Sequence, residues 1–106
     1  MTPDEIEHLA RQAAMHPVGS RDNPIRCFLP SGSQDYLRRL RGPDGKPPSF
    51  HRIGSRGTGP YGNILDEYEV VCASGSGSPV TIFIDMYHRF HTDNRCPDGF
   101  VIVASS

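Results

Sequence analysis

The side chains best suited to chemistry lie in two stretches of the chain. The first holds His51, Arg52 and Arg56, with Tyr61 nearby. An imidazole can give or take a proton near neutral pH, and guanidinium groups neutralise the oxygens of a phosphodiester or carboxylate. His88, at the end of an apolar run, completes the set if the intervening chain folds back over a sheet. His51, Arg52, Arg56 and His88 are therefore the expected catalytic residues, with Glu67 or Glu69 as a partner base. The competing expectation is a solvated surface of unrelated His and Arg.

The second stretch is Asp85-x-x-His88-x-x-His91, followed by Cys96. An aspartate and two imidazoles suit zinc or iron with an open position. On a continuing strand, residues three apart point to opposite faces, so Asp85, His88 and His91 can converge only where the strand stops and the chain turns. A metal is therefore not expected, and the trio is a weak candidate. Cys96, next to Arg95, offers a thiol beside a cation. Cys27 and Cys72 fall in apolar runs and read as core.

Gly57-Thr58-Gly59-Pro60-Tyr61-Gly62 matches G-x-G-x-x-G. A dinucleotide fingerprint needs a strand before it and a helix opening within it, whereas Pro60 interrupts this one and a strand pattern follows. No Lys-Ser/Thr ending is present, so a P-loop is excluded as well. No cofactor is expected. Tyr36 with Arg38, Arg39 and Arg41 leaves nucleic acid open as a partner, although cations at a helix C-terminus also complement its dipole.

The elements that must position these residues follow from the apolar pattern. Thr2-Pro3-Asp4-Glu5 is a helix start with capping-box spacing, and Ile6, Leu9, Ala10, Ala13 and Ala14 share one face up to about His16, before Pro17. Ile25 to Leu29 reads as a short strand ended by Pro30. Ser31 and Gln34 stand at capping-box spacing for a second helix with Tyr36, Leu37 and Leu40 on its apolar side, closed by Gly42-Pro43.

Residues 43 to 63 read as a long Pro- and Gly-rich loop with a short edge strand at Phe50 to Ile53. Loops of that length are often functional. Ile64 to Ala73 and Val80 to Tyr87 form the firmest expected hairpin, joined across Ser74 to Ser78. Ile64, Tyr68, Val70 and Cys72 share one face of the first strand. Val80, Ile82, Ile84 and Met86 share one face of the second, which is apolar on both faces and so central. Phe100 to Ala104 pairs back as a last strand.

The expected architecture is one α+β domain over residues 1 to 106. Two short helices pack on a small antiparallel sheet of three to five strands, in the order α-β-α-β-β-β. The length of 106 residues suits one modest core, with 36% apolar residues and no Trp. The net charge of −1 excludes a strongly basic polyanion binder. Charge is nonetheless segregated: residues 38 to 56 are mainly basic and 66 to 93 mainly acidic, and ten of the eleven basic residues are Arg. Three Cys cannot close a disulfide framework, no apolar run has signal or membrane-span length, and a cytoplasmic location follows as the expectation.

Two functions fit. One is a small binding domain that recognises a protein or anionic ligand through the 43–63 loop. The other is a metal-independent ribonuclease or phosphodiester hydrolase that uses His and Arg on an antiparallel sheet. Small metal-free ribonucleases share that arrangement, an analogy of architecture alone.

Overall fold

In a computed structural model of the chain, residues 1–73 and 78–104 are described. The N-terminal helix, α1 (Pro3–Ala13), starts as the capping box dictates. The Thr2 hydroxyl accepts from the Glu5 amide and the Glu5 carboxylate accepts from the Thr2 amide, both at 3.2 Å. Tight turns through Met15 and His16 finish it ahead of Pro17. Ala13 is buried, while Ile6, Leu9 and Ala10 are half-buried.

The strand expected at 25–29 is shorter: β1 (Ile25–Arg26) gives way at once to α2 (Leu29–Arg38). The second helix begins two residues before Ser31 and has no side-chain cap. A tertiary bond overrides the local capping signal: the Leu29 amide donates to Met86 O at 2.9 Å and ties the helix start to the end of the central strand. Leu29 adopts φ +68° there. Pro30 sits in the first turn, where a missing N–H costs nothing. The helix stops before Gly42-Pro43, because β2 (Leu40–Arg41) leaves it to pair antiparallel with β6 (Val101–Ile102). The C-terminal strand therefore pairs back, but outside the main sheet.

The largest departure lies in residues 43 to 63. Nearly half of that stretch is β3 (Ser49–Thr58), the longest strand, rather than a loop. It pairs antiparallel with β4 (Ile64–Val71), which satisfies its backbone, while polar residues on both faces erase the two-residue apolar period. The register shifts between Arg52 and Gly54 and again between Ser55 and Thr58. Gly57 takes φ +74° at the second shift. Gly59 lies so close to Leu65 that a Cβ there would sit 2.6 Å from its side chain.

The hairpin of β4 with β5 (Val80–Asp85) is antiparallel as expected; Ser74 to Gly77 of its connection lie outside the described residues. The main sheet has the order β1-β5-β4-β3 and is mixed, because β1 runs parallel to β5. The long connection between those strands permits the parallel pairing. The register puts Phe50, Arg52, Asp66, Tyr68, Val70, Ile82, Ile84 and Ile25 on one face. Tyr36 and Leu37 of α2 join the core built on that face. Ile64, expected among the inward residues, opens its strand exposed. His51, Glu69, Glu67, Phe83, Asp85 and Arg26 belong to the opposite face. No helix among the described residues is long and apolar enough to cross a membrane.

Candidate functional site

Two constellations stand out, one on each face of the main sheet. The first is a groove of about 470 Å³ lined by Pro30, Gln34, Phe50, His51, Arg52, Asp66, Tyr68 and Met86. Its volume is that of a small-molecule site. Phe50 and Tyr68 meet edge to face at 6.4 Å, supplying apolar wall. Arg52 Nη2 donates to Asp66 Oδ1 and Ser55 Oγ, both at 2.9 Å. That hydrogen bond and the Asp66 charge raise the Arg52 pKa, so the guanidinium stays charged. Among the described residues its Nε and Nη1 make no hydrogen bond. Burial raises the pKa of Tyr68, which enters as a neutral phenol.

The expected catalytic residues divide between locations. His51 and Arg52 both line the groove, although they alternate across the strand. His51 Nε2 lies 3.8 Å from Glu69 Oε1 of the neighbouring strand. Arg56, beyond the register shift, donates from Nε to Glu67 Oε1 at 2.7 Å. Arg56 does not line the groove, and neither does His88.

His88 belongs to the second constellation, and only 5% of it is exposed. β5 stops at Asp85, so the chain turns and Asp85 meets His88, the condition the spacing required. His88 Nε2 lies 3.0 Å from Asp85 Oδ2, off the line of a hydrogen bond, and Nδ1 accepts from Arg26 Nε at 3.3 Å. The Asp85 carboxylate is held by Asn63 Nδ2, at 3.2 and 3.1 Å from its two oxygens, and by the Tyr87 amide at 3.0 Å. The Tyr61 ring packs edge-on against His88 at 4.6 Å and under Arg26 at 5.2 Å. The His91 ring lies 6.4 Å from that of His88; burial, then the Arg26 charge, lowers its pKa. Among the described residues, no group of three or more His, Cys, Asp or Glu side chains is placed to hold a metal ion.

A third set is structural. Asp93 is buried and accepts from the Arg26 amide at 2.9 Å, from the Arg95 amide at 3.0 Å, and from Arg95 Nε and Nη2 at 3.0 and 2.7 Å. Burial works against its charge, but the Arg95 and amide hydrogen bonds prevail and lower its pKa. Arg95 also reaches Asn23 Oδ1 and Pro24 O, and Tyr36 donates to Arg95 O. Arg39 is consumed here as well, through Val103 O, Asp93 O and Asn94 Oδ1. Part of the basic helix end thus fastens the C-terminal segment.

Arg26 and Asn63 carried no signal in the sequence, because their side-chain partners lie 62 and 22 residues away, and the bond from Asp93 to the Arg26 amide spans 67 residues. Cys96 is half-buried and packed on the core. Burial pushes the Cys27 thiol up to about 12. Comparison with protein-family models, with curated proteins and with solved structures gives no match.

Proposed function

We propose that this domain binds a small anionic ligand with an apolar or planar part in the groove between the start of α2 and the β3–β4 pair. The supporting observation is Arg52: a charged guanidinium with Nε and Nη1 unfilled among the described residues, set in a wall of Phe50, Tyr68, Met86 and Pro30. The contacting segment is the 43–63 stretch, now as an edge strand. Asp66 offsets part of the Arg52 charge and fixes its pose, which favours a directional contact over general attraction. A cytoplasmic location belongs to the same reading, supported by Cys27, Cys72 and Cys96 all being unbridged.

The test is a residue-resolved NMR titration with inorganic phosphate and a mononucleotide. Saturable shifts at Phe50, Arg52 and Tyr68, lost in Arg52→Gln, support the reading. Shifts absent from all three residues rule it out.

A second reading, metal-independent cleavage of phosphodiesters, draws support from His51, Arg52 and Asp66 lining one groove, with Glu69 beside His51. A carboxylate would take the proton of a ribose 2′-hydroxyl, whose oxygen attacks phosphorus. The bond from phosphorus to the 5′ oxygen then breaks, and that oxygen takes a proton from His51. Arg52 would hold the developing charge. In this reading His88 and Arg56, which do not line the groove, take no part in the cleavage. Incubation with single-stranded RNA, with and without chelator, decides: no cleavage by the wild-type protein, or cleavage unchanged in His51→Ala, excludes it.

A further inference from the structure

We infer a separate oxyanion-binding site at Arg26, on the sheet face opposite the groove. The chain of contacts from Asn63 through Asp85 and His88 ends on Arg26 Nε. Asp85 is fully buried and His88 nearly so. A buried carboxylate–imidazole contact is costly to desolvate and is weak evidence of stabilisation. What this one does is hold a single guanidinium in one pose: His88 takes its Nε, and the Tyr61 ring supports its plane. Among the described residues, Nη1 and Nη2 make no hydrogen bond. Two parallel donors held in a plane match two oxygens of a carboxylate or phosphate.

The space for such a ligand is present. A cavity of about 330 Å³ lies between Arg26 and α1, lined by Pro3, Ile6, Glu7, Ala10 and Arg26. Glu7 is engaged by Arg11 at 3.3 Å, which leaves Arg26 as the cation of the cavity. Pro3, Ile6 and Ala10 form an apolar wall. The fitting ligand is an organic oxyanion whose charged end meets Nη1 and Nη2 and whose apolar end lies on α1. His88 and Asp85 are positioning residues, and Tyr61 supports the guanidinium.

The test is an NMR titration of the whole chain with phenyl phosphate and, separately, benzoate, following Arg26 Nε–Hε and the Ile6 and Ala10 amides. Saturable shifts at these positions with either probe support the site, and the tighter probe identifies the charged group. Arg26→Gln should abolish the shifts, and His88→Gln should weaken binding about tenfold with the fold retained. Both substitutions touch a buried network, so Ala10→Met, which narrows the cavity from the exposed helix, is the deciding variant. Loss of saturation in Ala10→Met with the Arg52 groove unaffected sustains the proposal. Saturation unchanged in that variant, or wild-type shifts confined to His51 and Arg52, overturns it while leaving the groove reading standing.

Discussion

Replacing Asp93 by alanine should be the most damaging single change outside the apolar core. The carboxylate is 3% exposed and satisfies two half-buried amides and the Arg95 fork at once. Hydrogen bonds to a charged acceptor contribute about 1.5–3 kcal/mol each, and leaving a buried donor unsatisfied costs about 1–3 kcal/mol. Arg95 softens the loss, since its side chain is 40% exposed and keeps Asn23 Oδ1 and Pro24 O. The expected destabilisation is about 3–5 kcal/mol. That corresponds to a drop in Tm of roughly 15–25 °C for a domain of this size. Asp93→Asn keeps one acceptor oxygen and should lose about half as much. The pH dependence has a definite sign. The folded pKa of Asp93 lies below its ordinary value of 3.8, so the unfolded chain takes up the proton first as pH falls. The contribution is full above about pH 4 to 5 and disappears as pH drops through the folded value. Urea unfolding followed by circular dichroism from pH 7 down to 2 measures both effects. A loss below about 1 kcal/mol in Asp93→Ala at pH 7, or an unchanged acid slope, would refute the hub described here.

Three further outcomes follow from single positions. Gly59→Ala places a methyl 2.6 Å from the fully buried Leu65 side chain and should cost about 1–3 kcal/mol by urea unfolding; a neutral result would mean Leu65 repacks freely. Phe90 is 79% exposed at φ +58°, a conformation that costs a bulky residue about 1–2 kcal/mol, so Phe90→Gly should leave stability unchanged or raise it. A fall of more than about 1 kcal/mol would show that its 5.4 Å edge contact with Phe28 outweighs the strain. Cys27, 2% exposed with its pKa pushed up to about 12, should resist a thiol reagent at pH 8 in the native protein, whereas unfolded protein reacts at all three thiols; rapid native labelling of Cys27 contradicts its burial.

Where the determining information was local, the sequence was sufficient. The capping box at Thr2, the β4–β5 hairpin and the central position of β5 rest on neighbouring residues or on a two-residue apolar period, and the structure has all three. The α+β class followed from them. The residues from 49 to 58 misled because an edge strand solvated on both faces has no apolar period, and because Gly at its register shifts looks like loop punctuation. The start of α2 misled because the Leu29 amide bonds to Met86, which no local pattern announces.

The candidate residues divide in the same way. His, Arg and Asp could be picked out as chemical types, but their spacing only permitted Asp85 to meet His88, and the end of β5 at Asp85 brought them together. Which of them share a surface was decided by strand register. Arg52 and Asp66 fall on one face, Arg26 and Asp85 on the other, and a shift of one residue would exchange them. Sequence alone determined the inventory of donors and charges and the elements that carry them. Tertiary structure decided which guanidinium is spent on holding the C-terminal segment, as in Arg39 and Arg95, and which keeps nitrogens without a hydrogen bond among the described residues, as in Arg26 and Arg52. Hydrogen-bond partners 54 to 72 residues away in the chain are fixed only when the sheet closes.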